Sequence, residues 1–188
     1  MIEQNVTARL NDPDLALVRG MAAGNGSDLD ELYARYGPPI FSYLMARLEE
    51  HALAEEVLQD VMYAAWTGAA QFRGESKVLT WLLTIAHNRA INARRRRTPP
   101  IVPLHDDIRD TDTGPFEQVM RGSERLVVRE TLNRLPAHHR EVLVLVFYHQ
   151  LTESEVAEVL GIAVGTVKSR LHRAKEELRR VLHSEGRF

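Results

Sequence analysis

Large apolar residues recur along this chain at intervals of three and four residues far more often than they alternate, and that spacing predicts helices. Leu15, Val18 and Met21 with Ala22 mark a first short helix. A second starts near Ser27, where Ser-Asp-Leu-Asp-Glu puts a cap and acidic groups on the first turn. The pair Pro38-Pro39 predicts a break, with helix resuming over 40–49. Further helices are predicted over 52–69 and 79–96. Helical signals return over 124–135, then over 138–148 after Pro136, and finally over 153–160 and 164–182. No strand-like alternation runs longer than four residues, and no segment repeats. The expected fold class is all-α, with two small helical domains on a flexible linker.

The boundaries follow from composition. Residues 1–11 lack periodicity and read as a disordered tail. Residues 12–97 form the first domain. Residues 98–120 contain Pro99, Pro100, Pro103, Gly114 and Pro115 with few large apolar groups, as an acidic tether would. Residues 121–188 form the second domain.

A net charge of −2 argues at first against a nucleic-acid binder, but its distribution reverses that. Residues 1–60 carry 4 basic and 11 acidic side chains, whereas residues 61–97 carry 7 and 1. Residues 98–118 carry 1 and 5, and residues 119–188 carry 12 and 9. Phosphate responds to the local field rather than to the total, so the two basic blocks remain candidates. The absence of cysteine excludes a disulfide framework, a thiolate zinc site and a thiol switch within these residues. No apolar run approaches the roughly 20 residues that cross a bilayer, and residues 1–10 lack a signal-peptide core. The expectation is a cytoplasmic protein without membrane insertion.

In the second domain, Thr152-Glu-Ser-Glu155 has capping-box spacing, with Val156, Ala157 and Leu160 as the apolar face behind it. Gly161 stands where a chain leaving a helix takes positive φ. The next helix buries Val167, Leu171, Ala174 and Leu178 and turns Lys168, Ser169, His172 and Arg173 the other way. Two helices across a short glycine turn, the second basic outside, describe a helix-turn-helix. A plain helical hairpin with a solvated charged face has the same spacing. The wording goes further: LPAHHREVLVLVFYHQLTESEVAEVLGIAVGTVKSRLHRAKEELRRVL closely resembles region 4 of the extracytoplasmic-function (ECF) RNA polymerase sigma factors, of the sigma-70 family. The resemblance implies that this helix enters the major groove of the −35 element. By position, Lys168, Ser169 and Arg173 would face base edges, and Thr166 and Arg170 would face phosphates. Gln150 departs from the pattern, since the family usually has glycine there.

In the first domain, the helix over 79–96 has two faces. Leu79, Leu82, Leu83, Ala86, Ala90 and Ala93 would be buried. Trp81, Thr84, Asn88, Asn92 and Arg95 share another stripe, which suits unpaired bases because rings stack and amides bond base edges. The four arginines at 94–97 can hold phosphate. Half-buried packing of Trp81 and favourable charge at a helix C-terminus explain the same residues without any ligand. Here FRGESKVLTWLLTIAHNRAINARRRR is similar to regions 2.3 and 2.4 of the same family, which melt and read the −10 element. The resemblance gives that role to Phe72, Arg73, Gly74, Trp81, Asn88, Asn92 and Arg95.

The preceding helix carries two apolar stripes, Leu53, Val57, Val61 and Ala64, then Leu58, Met62 and Trp66. One stripe suffices for a core, so the second is available to a partner; burial of both between neighbouring helices fits the spacing equally. Ala54-Glu-Glu-Val-Leu-Gln-Asp-Val61 resembles region 2.2, which implies docking on the β′ clamp helices through Glu56, Leu58, Gln59, Asp60 and Met62. The family further implies contact with the β flap, promoter DNA as ligand, restraint by an anti-sigma factor and a linker threaded through the polymerase.

Two other classes compete. An enzyme finds little support: His51, His87, His105, His138, His139, His149, His172 and His183 form no pair at metal-ligand spacing with a nearby acid. No glycine-rich phosphate loop or nucleophile elbow appears, and no cofactor is implied. An autonomous helix-turn-helix regulator would use the second domain alone and leave residues 72–97 without a purpose.

Overall fold

The computed structural model describes residues 12–97, 132 and 134–184. The expected tail over 1–11, the tether over 98–120 and nearly all of the helix expected over 124–135 lie outside them. The chain divides into two compact units, Met1–Asp110 and Thr111–Phe188. Among the described residues every regular element is helical.

The first unit holds α1 (Leu15–Ala22), α2 (Gly26–Leu48), α3 (His51–Gly68) and α4 (Val78–Arg97), with a single 3₁₀ turn, Ala69–Gln71, after α3. Asn25 caps α2, its side chain accepting from the Ser27 amide at 3.3 Å. The break expected at Pro38-Pro39 does not occur, and α2 runs through both prolines. An interior proline costs about 3 kcal/mol. Leu32 before the pair and Ile40, Tyr43 and Leu44 after it are all essentially buried. Each such side chain contributes roughly 1.5–3 kcal/mol, so packing on one continuous face outweighs the lost hydrogen bonds. Gly37, directly ahead of the prolines, has no Cβ to meet the Pro38 ring, which removes part of the usual clash.

α3 packs against both α2 and α4, and α4 against both α2 and α3. A helix gripped on two sides buries two stripes. Leu53, Val57 and Val61 face the core, and so do Leu58 and Met62, each only 6% exposed. Leu58 and Met62 are therefore core residues, contrary to the expectation that they centre a partner surface. α4 follows its spacing over its middle, where Leu82, Leu83, Ala86 and Ala90 are fully buried, but Leu79 and Ala93, expected in the core, are only half-buried, and Val78 and Thr80 are buried at the start of the helix instead. His87 is a core histidine, its Nδ1 bonded to the Tyr43 hydroxyl at 2.9 Å, which ties α4 to α2.

The second unit contains α5 (Ala137–Leu143), α6 (Glu153–Leu160) and α7 (Val164–Ser184). The single helix expected over 138–148 is instead α5 followed by a π-type turn, Val144–Tyr148. The chain is buried without a break from His139 to Leu145, across the end of α5 and into this turn, more than one regular helical face can hold. Widening the turn accommodates this run, and the His149 amide then donates to the Val144 carbonyl five residues back. The capping box of α6 forms as expected, with the Glu155 amide donating to the Thr152 hydroxyl and the Thr152 amide to the Glu155 carboxylate. Gly161 leaves α6 at φ 63°.

Gln150 sits at φ 54°, the left-handed region that favours glycine. A side chain there costs about 1 kcal/mol or more. Gln150→Gly is expected to stabilise the second unit by roughly 0.5–1 kcal/mol, visible as a higher urea midpoint of the full chain. A lower midpoint would mean that the glutamine side chain holds the turn.

Candidate nucleic-acid interface

The C-terminal site is the outer face of α7. Val167, Leu171 and Ala174 are buried on its inner face, and this fixes the rotation of the helix. Lys168, Ser169, His172 and Arg173 then point to solvent. Ser169 donates its hydroxyl to the Thr166 carbonyl at 3.0 Å, which holds the oxygen at the helix surface. Lys168 lies 3.9 Å from Glu153 of α6, an exposed pairing worth well under 1 kcal/mol and easily exchanged for a stronger partner. Thr166 and Arg170 are half-buried at the edges of this face. Arg170 stands near His138, whose imidazole is pushed down by desolvation, by His139 and by the Arg170 charge. His138 and His139 do not converge on a shared partner: His139 instead bonds Glu177 of α7 at 2.8 Å.

The N-terminal site gathers around the segment between α3 and α4. Phe72 stacks on Trp81, with ring centroids 4.5 Å apart and planes at 23°. Both rings are half-buried, so one face of Trp81 is already covered. Beside them opens a groove lined by Arg73, Ser76, Ile85, Asn88 and Arg89. Asn88 is exposed, and its Nδ2 donates to the Thr84 carbonyl at 3.0 Å. Arg73 and Glu75 are both exposed and 3.9 Å apart. Gly74 takes φ 70°, which lets the segment turn.

Asn92, expected beside Asn88, is exposed but lines a second, smaller groove with Glu56, Asp60, Arg89 and Arg96. The structure thus divides the expected stripe: Trp81 and Asn88 share one groove, while Asn92 meets acids of α3. Arg95 is exposed near the end of α4, and Arg97 pairs with Glu50 at the start of α3. Arg89, which spacing did not single out, reaches both grooves.

On α3, Glu56 and Gln59 are exposed and Asp60 is half-exposed. The large apolar group presented beside them is Tyr63, at 70% exposure. It lies four residues after Gln59, one helical turn on along the same face, a spacing legible in the sequence.

Two family models match the chain: Sigma-70 region 2 over residues 32–99 and Sigma-70 region 4 over residues 125–178. RNA polymerase sigma factor YlaC of Bacillus subtilis is 33% identical over 156 residues, covering 81% of this chain and 90% of YlaC. ECF RNA polymerase sigma factor SigL of Mycobacterium tuberculosis is 31% identical over 174 residues, covering 92% and 98%. The chain belongs to the ECF sigma factors. Among solved structures, CnrH in complex with the cytosolic domain of CnrY superposes with a TM-score of 0.67 at 26% identity, covering 91% of this chain and 97% of that one. The sigma factor RpoE of Bartonella quintana, in complex with the anti-sigma factor NepR, has a TM-score of 0.64 at 24% identity and shares the fold, covering 83% and 97%.

The region 2 match rules out an autonomous regulator built on the helix-turn-helix alone. Each unit of this sigma factor carries one of the two matched regions, and its relatives are sigma factors, not enzymes. No helix among its described residues is long and apolar enough to cross a membrane.

Proposed function

We propose that this sigma factor binds core RNA polymerase in the cytoplasm, reads the −35 duplex with α7 and opens and reads the −10 element with the 72–78 segment and α4. The observation that carries the reading is the groove where Phe72, Trp81 and Asn88 converge beside Arg73 and Arg89. It offers an aromatic edge, an exposed amide and cations, the groups that hold an extruded base and its phosphates. Opening then proceeds on binding energy, without covalent chemistry at any residue. Lys168, Ser169 and Arg173 address −35 base edges. Thr166 and Arg170 address phosphates, and Asn92 and Arg95 the strand beyond Asn88. Gly74 lets the loop turn beneath the base. Glu56, Gln59 and Asp60, with Tyr63, form the rim and centre of the surface for the β′ clamp helices, and the second unit meets the β flap. An anti-sigma factor restrains the chain, as the complexes of CnrH with CnrY and RpoE with NepR suggest by analogy.

The test is transcription by core polymerase supplemented with this chain. Trp81→Ala and Asn88→Ala are expected to form closed complexes normally and to slow strand opening, read by permanganate reactivity of unpaired thymines. A template with a pre-opened −10 bubble restores them. Lys168→Ala and Arg173→Ala are expected to shift −35 preference by about 1–3 kcal/mol per contacted base pair, and Arg170→Ala to weaken all promoters alike. Uniform losses from all of these substitutions would overturn the assignment.

A further inference from the structure

Helix α4, which carries Trp81 and Asn88, begins without a carboxylate in its own first turn. Its first amide is nevertheless satisfied. The Val78 N–H donates at 2.8 Å to Oδ2 of Asp12, a residue 66 positions earlier in the chain. The other oxygen of the same carboxylate accepts from the Asp14 amide at 3.0 Å, which orients it. Asp14 is buried and anchored in turn to α2, by the Arg35 guanidinium and the Tyr36 hydroxyl. Burial, reinforced by the nearby Asp12 charge, raises the Tyr36 phenol to about 12, so it remains a donor across the working pH range. A few residues further on, Leu15 of α1 backs the reading segment itself: a Cβ on Gly74 would stand 3.4 Å from its side chain. The short stretch from Asp12 to Leu15 thus touches the 72–78 segment at its middle and at its end, and is itself bolted to α2.

We infer that Asp12 is a positioning residue for promoter opening, holding the first turn of α4 and the base-receiving segment in the geometry that accepts an extruded base. The inference rests on the reading of the Phe72–Trp81 groove given above. A carboxylate at a helix N-terminus both accepts the free amide and favours the positive end of the helix dipole. The placement matters because a base captured at Trp81 is held only three residues from that first amide, and a frayed first turn would displace the ring. Asp12 makes no contact with DNA in this account.

The experiment compares Asp12→Ala and Asp12→Asn in the full chain with core polymerase at saturation. Asparagine keeps an oxygen that can accept from Val78, whereas alanine does not. Asp12→Ala is expected to slow permanganate-detected opening about fivefold, the scale of one lost helix cap, with core binding and helical content unchanged. Asp12→Asn is expected to open within about twofold of the parent, because most of a cap is its hydrogen bond. A pre-opened bubble restores Asp12→Ala. Normal opening by Asp12→Ala overturns the inference. So does an equal defect in both variants accompanied by lost helical content, which would make the residue a general support of the fold. Trp81→Ala run alongside separates the two levels. If it opens DNA normally the reading of the groove fails, and if it alone is defective only the role of Asp12 fails.

Discussion

Leu58→Ala is expected to destabilise the first unit by about 2–4 kcal/mol, whereas Tyr63→Ala is expected to leave stability within about 0.5 kcal/mol and to weaken polymerase binding instead. The two positions lie five residues apart on α3 but on opposite sides of the packing boundary. Leu58 is 6% exposed in the packed interior of the first unit, so truncation removes buried methyl groups and leaves a void. Tyr63 is 70% exposed and supports nothing in the core. An exposed aromatic beside Gln59 and Glu56, with Asp60 at the edge, is the composition of an interface centre, where truncation of a single ring often costs 2 kcal/mol or more. Urea denaturation of the full chain and capture by core polymerase, measured on the same preparations, distinguish the outcomes. Unchanged stability in Leu58→Ala with loss of capture would return the docking surface to the Leu58 stripe. Full capture by Tyr63→Ala would move it off this face of α3.

Acidification provides the second large effect, in the other unit. His149 follows the π-type turn, is only 7% exposed, and burial lowers its imidazole from the usual 6.5 to about 4. The folded chain therefore resists protonation that the unfolded chain accepts. For a group whose folded pKa is depressed, its stability contribution is complete above the unfolded value and is lost as pH falls from about 6.5 toward 4. The full loss is on the order of 3 kcal/mol, with roughly 2 kcal/mol of it gone by pH 5. His149→Gln lacks the titration. Its urea midpoint should start lower at pH 7.5, because the ring no longer fills its site, but fall less on going to pH 5. Equal pH dependence in parent and variant would show that other groups govern acid sensitivity.

The sequence alone was enough for much of this protein. Helical periodicity places Leu82, Leu83, Ala86 and Ala90 of α4 and Val167, Leu171 and Ala174 of α7 on inner faces, so what lies opposite, Asn88 on one and Lys168, Ser169 and Arg173 on the other, follows from spacing. The α6 cap and the Gly161 turn are equally legible, since they are made by neighbours in the chain. The glycine preference at the position of Gln150 also had a local cause, which its positive φ displays.

Tertiary structure decided what depends on more than one helix. Whether Pro38-Pro39 breaks α2 turns on a comparison between about 3 kcal/mol per interior proline and burial on either side, and that burial is set by other helices. Whether Leu58 and Met62 face a partner or the core depends on how many neighbours grip α3, which its own pattern cannot state. Burial on every side from His139 to Leu145 accompanies the widened turn after α5, although the spacing there reads as ordinary helix. Asn88 and Asn92 part because different turns of α3 line their two grooves, Ala64 and Gly68 in one and Glu56 and Asp60 in the other. The bond from Val78 to Asp12 spans 66 residues, and no local rule connects a carboxylate before the first helix with the first amide of the fourth. Spacing reports the face a residue occupies on its own helix; only packing determines what stands across from that face.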